Sequence, residues 1–314
     1  MKIFFATDIH GSNICFKKLL NAGKFYGADL VILGGDMTGK MVIPILKSPK
    51  GIYTSNLLEQ KFTLKTEVEL KNYIENISNM GLYPYLTNED EILSLQNNKL
   101  KSNEIFKSLI IQRLTEWVTL ADTKLQYENM KLYVCPGNDD DYYIDEILKR
   151  SNLITNLENS VIDLFGKYEL LSTGHSNLTP WHTPREIPEE QLEDILQKLN
   201  LKVNKNKGLI VDIHVPPYNS RIDEAAELDS EFRVVTSLGQ LKKKPVGSIA
   251  VRKFIEENQP IVGLFGHIHE GKGQFTIGKT ICINPGSNYQ EGVLNGCLLH
   301  LENNKVVSYQ FVTG

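Results

Sequence analysis

The stretch KIFFATDIHGS, residues 2–12, decides the fold class. A short apolar run ends in a turn that holds Asp8 and His10, and Ser12 is placed to cap a helix over residues 11–23. Continuous, β-rich apolar runs of this length are typical of strands that are buried on both faces of a sheet. The stretch therefore predicts a strand, a loop and a helix, which together form the repeating unit of an α/β protein.

The same arrangement recurs along the chain. Four further apolar runs end in polar or glycine-rich turns: DLVILGG (29–35), KLYVCPG (131–137), GLIVDIH (208–214) and IVGLFGH (261–267). Helical patterns lie between runs of this kind, at residues 188–200 and 247–258. The alternation of strands and helices predicts an α/β sandwich.

The C-terminal third has a different pattern. Successive strands with glycine-rich or asparagine-rich turns are predicted for GQFTIGKTICINPGS (273–287), GCLLHLEN (296–303) and KVVSYQFV (305–312). We expect these strands to form a meander and not another β-α-β unit.

Residues 40–130 interrupt the alternation. Two apolar stripes there have helical spacing: Leu70, Tyr73, Ile74 and Ile77, then Ile110, Leu114, Trp117 and Val118. We therefore predict a single domain over residues 1–314 with a helical insertion at about 40–130. The insertion is either structural padding or a lid that selects the substrate.

The composition excludes several protein classes. The chain has 314 residues, of which 41% are hydrophobic and 23% charged, and these values are typical of globular proteins. Disordered, collagen-like and coiled-coil proteins are thereby excluded. The 34 basic and 38 acidic residues give a formal net charge of −4, which provides no general attraction to nucleic acid or to an anionic membrane.

The cysteines and the N-terminus point to the cytoplasm. Cys15, Cys135, Cys282 and Cys297 form no C-x-x-C pair, and we expect them to be buried free thiols. The apolar run before Asp8 is too short for a signal peptide, and no stretch approaches the ~20 apolar residues of a membrane helix. We expect a cytoplasmic protein with no membrane partner.

Candidate metal ligands follow the predicted strands, at the edge where open α/β sheets assemble their sites. They are Asp8, His10, Asp36, Asn138, His214, His267 and His269. In the pairs Asp8/His10 and His267/His269, one residue separates the two donors, so in an extended turn both can point the same way. Oxygen and imidazole donors without a thiolate suit Mn, Fe, Zn or Ni and argue against a thiolate zinc site.

Each of these residues alone has a simpler explanation. A lone aspartate usually caps a helix or a turn, and a lone histidine is usually a core residue with a hydrogen-bond partner. Together, five independent turns would have to reproduce the same ordered arrangement by chance. The set therefore predicts a metal site.

Five ordered blocks resemble the calcineurin-like metallophosphoesterase superfamily, whose pattern is D-x-H-G, G-D-x-x, G-N, an isolated strand-end histidine and G-H-x-H. They stand here as Asp8-Ile9-His10-Gly11, Gly35-Asp36-Met37-Thr38, Gly137-Asn138, His214 and Gly266-His267-Ile268-His269. The resemblance spans residue 1 to about residue 290 outside the insertion. It implies a four-layer αββα sandwich of two mixed sheets. TPWHTPRE (179–186) and INPGSNYQEG (283–292) are similar to the Icc-type bacterial and archaeal branch.

The resemblance also implies a dinuclear metal site with manganese favoured among Mn, Fe, Zn and Ni. The implied ligand sets are Asp8, His10 and His269 for one divalent ion, Asn138, His214 and His267 for the other, and Asp36 as the bridge. A hydroxide between the metals would be the nucleophile, without a covalent enzyme intermediate. The metals would neutralise the charge that develops on the phosphoryl group.

One block departs from the family pattern. The widespread form continues G-N-H-[DE], whereas Asp139 follows Asn138 here. An ionised carboxylate cannot donate a proton, and it repels a phosphate dianion. Either Asp139 tunes the site toward phosphodiesters, which carry one charge fewer, or His175 or His182 supplies the acid. The simpler explanation for each histidine is a residue of a surface loop, and we favour it for both.

Four further residues have two interpretations each. Arg185 and Arg221 could clamp a phosphate through two hydrogen bonds, or they could pair with neighbouring glutamates. Asn284 and Ser287 could line the cleft, or they could belong to a tight turn.

The sequence predicts a metal-dependent phosphoester hydrolase, and small-molecule phosphodiesters, including cyclic nucleotides, are its expected substrates. The first alternative is a nuclease of the same superfamily, which needs a basic groove; only Lys242–Lys244 and scattered lysines hint at one. The second alternative is a non-catalytic scaffold or binding protein on this fold, against which the complete ligand set argues. No pattern specifies an oligomeric state.

Overall fold

The structure is a computed structural model that describes residues 1–96, 98–127, 130–237 and 239–314. In chain order the strands are β1 (Lys2–Ala6), β2 (Leu30–Gly34), β3 (Val42–Lys47), β4 (Tyr53–Leu57), β5 (Gln60–Leu64), β6 (Tyr83–Thr87), β7 (Leu132–Cys135), β8 (Ile154–Asn156), β9 (Ser160–Leu164), β10 (Tyr168–Thr173), β11 (Gly208–Ile213), β12 (Glu224–Ala226), β13 (Thr236–Ser237), β14 (Gln240–Leu241), β15 (Lys243–Pro245), β16 (Val262–Leu264), β17 (Gly273–Ile277), β18 (Thr280–Asn284), β19 (Asn295–Glu302) and β20 (Lys305–Thr313). The helices are α1 (Asn13–Tyr26), α2 (Glu67–Asn79), α3 (Glu89–Gln96), α4 (Lys99–Leu125), α5 (Ile144–Leu148), α6 (Glu189–Asn200) and α7 (Ile249–Asn258), with a 3-10 turn at Tyr289–Glu291.

Two six-stranded mixed sheets form the centre of the described structure. The first sheet has the order β20-β19-β1-β2-β7-β8, and the second has the order β17-β18-β16-β11-β10-β9. In the first sheet β1, β2, β7 and β8 run parallel. Strand β19 pairs antiparallel with β1, and β20 pairs antiparallel with β19. In the second sheet β10, β11, β16 and β18 run parallel between the antiparallel edge strands β9 and β17.

The alternation of side chains along the strands creates four layers. Phe4 on β1 packs under the outer helices α1, α4 and α5, whereas its neighbour Phe5 lies between the two sheets. On β11, Ile210 lies between the sheets, and Val211 packs outward against α6 and α7. The αββα sandwich of two mixed sheets is therefore confirmed.

The predicted β-α units are present with nearly the predicted bounds. Ser12 caps α1 as expected, because its hydroxyl accepts a hydrogen bond from the backbone N–H of Cys15. All four cysteines are buried and free. The C-terminal strands exist, but a single meander was the wrong expectation: β17 and β18 pair in the second sheet, while β19 and β20 extend the first. The chain crosses between sheets at residues 285–294, which include the 3-10 turn.

The helical insertion expected at about 40–130 contains helices, but it also contains strands that were not expected. The helical stripes are helices α2 and α4, but strands β3 to β6 form a separate four-stranded sheet with the order β5-β4-β3-β6. This sheet packs on α2 around a small core of its own. Its strands contain prolines and exposed polar residues on one face, so they lack the continuous apolar runs that identify the central strands.

Helix α4 belongs to the outer layer of the main sandwich. Leu114, Trp117 and Ala121 are buried in the same core as α1. The Trp117 ring stacks on Phe16 of α1, with centroids 4.2 Å apart and planes 3° from parallel. This part of the insertion therefore covers the first sheet. In the described parts of the chain, no helix combines the length and the apolar character needed to cross a membrane.

Candidate metal centre

Seven polar side chains meet at the C-terminal ends of the parallel strands. Asp8 and His10 follow β1, Asp36 follows β2, Asn138 follows β7, His214 follows β11, and His267 and His269 follow β16. The five side chains that follow β1, β2, β7 and β11 are at most 3% exposed. The His269 side chain is 31% exposed, so the cluster opens toward solvent on that side.

One group of donors contains Asp8, His10 and His269. The His10 Nε2 and His269 Nε2 atoms lie 2.9 Å apart, and Asp8 Oδ1 lies 3.5 Å from His269 Nε2. The three ligand atoms lie within 4.8 Å of one another, which is close enough for a single ion to contact all three.

The second group contains Asn138, His214 and His267. Asn138 Oδ1 lies 2.9 Å from His214 Nε2 and 2.7 Å from His267 Nδ1. Asp36 lies between the groups, because its Oδ2 atom is 3.5 Å from His214 Nε2 and 3.6 Å from His10 Nε2. The structure thus brings all seven predicted residues together and places the predicted bridging carboxylate in the middle.

Four of the seven residues have a left-handed backbone conformation. The φ angles are 54° for Asp8, 37° for His10, 44° for Asp36 and 66° for His267. Such a conformation costs a non-glycine residue about 1–3 kcal/mol and is found where the surrounding structure fixes it, often at functional sites. Here the two turns hold each other: the N–H groups of Asp8 and His10 donate to the carbonyl oxygens of Gly35 and Asp36.

Neighbouring polar groups orient three of the candidate ligands so that one ligand atom of each faces the cluster. His10 Nδ1 lies 3.3 Å from the Thr38 carbonyl oxygen, and His214 Nδ1 lies 3.1 Å from that of Gly34. With Nδ1 protonated, Nε2 keeps its lone pair for an ion. The Thr7 hydroxyl donates to Asp8 Oδ2 at 2.6 Å, so Asp8 Oδ1 stays directed to the donors.

The charges of the cluster fit a bound cation. Burial lowers the pKa of His10 to about 3 and that of His267 to about 4, so both imidazoles are neutral and can donate a lone pair. Burial opposes the charged form of His214, but the Asp36 and Asp8 carboxylates outweigh it and raise its pKa to about 10. The same carboxylates would attract a divalent cation, and His214 would then bind it as a neutral ligand through Nε2.

Two glycines allow the backbone to approach the candidate ligands. At Gly35, which has φ 129°, an added Cβ would lie 2.0 Å from His214 Nδ1. At Gly81, which has φ 86°, an added Cβ would lie 2.2 Å from the His10 carbonyl oxygen. Gly81 follows α2, so the insertion packs directly against the turn that carries His10.

Asp139 has an unexpected partner in Lys40. The two side chains form an ion pair, and the Asp139 backbone N–H donates to Asp36 Oδ1 at 2.9 Å. Burial and the nearby Asp36 charge raise the pKa of Asp139 to about 7, and the Lys40 charge partly offsets this shift. Sequence reasoning missed Lys40; the signal available was its position four residues after Asp36.

Asp140 organises the turns beneath the cluster. Its carboxylate accepts hydrogen bonds from the backbone N–H groups of Met37, Thr38 and Gly137, and from the Thr38 hydroxyl. These bonds join the turns after β2 and β7, which carry Asp36 and Asn138. Asp140 therefore positions candidate ligands instead of facing the donors.

The two histidines predicted as alternative acids lie apart from the donors. His175 is 6% exposed, so the expectation of a surface-loop residue was wrong for it. Its Nδ1 atom lies 3.0 Å from Glu158 Oε1 and 3.1 Å from the Thr173 hydroxyl. His182 is exposed in a loop. Neither is among the described residues that line the cavity in front of the cluster. Their role as proton donors stays a prediction.

The remaining candidates have structural contacts. Arg185 is fully buried, where it pairs with Asp145 and Glu158, so it forms internal ion pairs instead of clamping a phosphate. Arg221 is exposed. The Asn284 side-chain amide donates to the carbonyl oxygens of Gly266 and Ile268, and the Ser287 hydroxyl donates to that of Asp8. Asn284 and Ser287 therefore stabilise the turns that carry the candidate ligands His267 and Asp8.

Comparison with known proteins agrees with this geometry. A family model described as calcineurin-like phosphoesterase matches residues 110–271. The chain belongs to this family. The matched range includes Asn138, His214, His267 and His269, while Asp8, His10 and Asp36 precede it.

Individual proteins are similar to this calcineurin-like phosphoesterase in sequence or in fold. The uncharacterized protein MJ1162 of Methanocaldococcus jannaschii is 32% identical over 159 residues, which is 50% of this chain and 64% of the relative. The crystal structure of TT1561 of Thermus thermophilus is similar in fold, with a TM-score of 0.54 at 16% sequence identity. The match covers 100% of this chain and 97% of the TT1561 chain. Another crystal structure, with 18% identity and 98% coverage of both chains, has the same TM-score of 0.54.

Proposed function

We propose that this phosphoesterase is a two-metal phosphodiesterase that acts on small-molecule substrates. The observation that carries the proposal is the position of Asp36 Oδ2, within 3.6 Å of a donor from each of the two groups. Two divalent ions held there would supply a water of lowered pKa as the nucleophile and would neutralise phosphoryl charge. The proposed ligands are Asp8, His10 and His269 on one side, Asn138, His214 and His267 on the other, and Asp36 between them.

The donor set and the cysteines support two further parts of the proposal. The side chains offer carboxylate, amide and imidazole atoms without a thiolate, and manganese suits such a set. The four free, buried cysteines fit a reducing compartment, so we propose the cytoplasm as the location.

The ion pair of Lys40 and Asp139 supports a preference for diesters. Asp139 of this pair directly follows Asn138, at the position where the family pattern has a histidine. The pair is neutral as a unit, so it adds no net positive charge to attract a phosphate dianion. Lys40 removes most of the repulsion that a lone Asp139 carboxylate would exert on a diester monoanion. Both residues line the cavity in front of the cluster.

Replacing Lys40 by methionine tests this role. In Lys40→Met, Asp139 loses its counter-charge. At an assay pH high enough to ionise Asp139, its unpaired charge lies beside the phosphate site, and we expect kcat/KM for bis(4-nitrophenyl) phosphate to fall about 10- to 100-fold. The double variant Lys40→Met/Asp139→Asn should recover a substantial part of that loss, because neither charge remains. The matched control is Lys242→Met, since Lys242 pairs with Glu227 and neither residue is among the described residues that line the cavity.

The outcome separates two interpretations of Asp139. Unchanged kcat/KM in Lys40→Met would contradict the proposed role of the ion pair. A higher kcat/KM for 4-nitrophenyl phosphate than for the diester in the unmodified enzyme would contradict the preference for diesters and leave the family assignment intact.

A further inference from the structure

One wall of the cavity in front of the candidate metal centre is aromatic and exposed. The cavity has a volume of about 940 Å³, and four of the seven proposed ligands line it. Trp181 and Phe232 line it as well, and they are 61% and 54% exposed. Their ring centroids lie 5.5 Å apart, with planes inclined by 33°. The two rings come from loops that are about 50 residues apart in the sequence, so their contact is a tertiary feature of the fold.

The loop that carries Trp181 is fixed relative to the metal centre. The Glu186 carboxylate accepts hydrogen bonds from the backbone N–H and hydroxyl of Thr179 and from the hydroxyl of Thr183. The Thr183 hydroxyl in turn accepts a hydrogen bond of 2.8 Å from the side-chain amide of Asn138. The loop that carries Trp181 is therefore connected by hydrogen bonds to a proposed ligand.

The turn that carries Phe232 is also held by specific contacts. Phe232 has φ 59°, a costly conformation for an aromatic residue. Asp229 stabilises the turn, because its Oδ1 atom accepts hydrogen bonds from the backbone N–H groups of Glu231 and Arg233. A strained turn that presents an aromatic ring to a cavity points to a binding role.

We propose that Trp181 and Phe232 form an aromatic platform that binds a planar aromatic group of the substrate while its phosphoryl group occupies the metal centre. This inference rests on the proposed function and specifies the substrate class. Flat rings bind flat groups by offset stacking, which an aliphatic chain cannot match. Lys244 lines the same cavity and offers a hydrogen-bond donor to substituents of a bound ring.

Binding of non-hydrolysable phosphonates tests the platform without depending on turnover. The manganese-loaded protein should bind phenylphosphonate about 5- to 100-fold more tightly than methylphosphonate, as measured by calorimetry. Cyclohexylphosphonate has a ring of similar size that is not flat, and it should bind several-fold less tightly than phenylphosphonate. Equal affinities for the phenyl and cyclohexyl compounds would overturn the stacking interpretation in favour of a merely apolar wall.

Variants assign the preference to the platform. Trp181→Ala should remove most of the preference for phenyl over methyl, whereas Trp181→Phe should retain part of it. The control is Phe165→Ala, because Phe165 is 64% exposed in the turn between β9 and β10 and lines a different cavity. An undiminished preference in Trp181→Ala would overturn the proposal.

Fluorescence provides a second readout. The chain has two tryptophans, and Trp117 is 3% exposed and stacked on Phe16, so Trp181 is the one that a ligand in the cavity can reach. Phenylphosphonate should quench the emission of the unmodified protein but not that of Trp181→Phe. If the protein holds manganese but none of the phosphonates binds, the platform fails and the metal centre does not. If the protein holds no manganese, the proposed function fails. If all the phosphonates bind equally, the platform alone fails.

Discussion

Asp36→Asn should lower kcat/KM for a phosphodiester by about 10³-fold or more. Asp36 Oδ2 lies within 3.6 Å of a donor from each group, and in the proposed site an amide would not bridge two cations as a carboxylate does. Stabilisation by a pair of metal ions is worth several kcal/mol, and each 1.36 kcal/mol corresponds to a factor of ten in rate. Steady-state hydrolysis of bis(4-nitrophenyl) phosphate after manganese loading measures the effect.

The control for this variant makes the same change elsewhere. Asp163 lies on β9, where its exposed carboxylate pairs with Lys207, and Asp163→Asn should leave the rate unchanged. Both variants should show the thermal unfolding of a folded protein. If Asp36→Asn retained more than a tenth of the activity, Asp36 would not be the shared ligand.

Arg185→Met should lower the free energy of unfolding by about 3–5 kcal/mol, the cost of removing one partner of a buried ion pair. Arg185 is fully buried, and its Nη2 atom donates to Asp145 Oδ1 at 3.1 Å while Nη1 lies 3.4 Å from Glu158 Oε2. Its Nε atom donates to the Asp140 carbonyl oxygen at 2.7 Å. The variant leaves these carboxylates without a counter-charge. Urea unfolding measures the change.

An exposed arginine gives the comparison. Arg233 pairs with Asp229, and its side chain is 69% exposed, so Arg233→Met should change the free energy of unfolding by less than about 1 kcal/mol. In addition, Arg185→Met/Glu158→Gln should be more stable than Arg185→Met, because one of the uncompensated charges is gone. Similar stability of Arg185→Met and the unmodified protein would contradict the structural role of Arg185 and reopen its role as a phosphate ligand.

The sequence predicted those parts of the fold that local patterns specify. The strand at residues 2–6, the cap at Ser12 and the helices near 188–200 and 247–258 depend on neighbouring residues, so apolar runs and capping residues reveal them. The convergence of the seven polar side chains was also predictable, because the ends of parallel strands share one edge of a sheet.

Other features depend on contacts between distant residues. The sheet in the insertion was missed because β3 to β6 are half-exposed and interrupted by Pro44 and Pro84. The ion pair of Lys40 and Asp139 joins residues that are far apart in the chain, and no local sequence pattern predicts it. The same is true of Trp181 and Phe232, which meet only through tertiary packing. From the sequence alone Arg185 is expected at the surface, because its buried ion pairs with Asp145 and Glu158 are not visible there.

The metal content of the protein tests the central claim most directly. After manganese loading and removal of free metal, elemental analysis should find two ions per chain, and diester hydrolysis should rise until the second equivalent is bound. Asp36→Asn should retain fewer than two ions under the same conditions. A chain that binds no manganese or other divalent metal, or that reaches full activity with a single ion, would contradict the two-metal account.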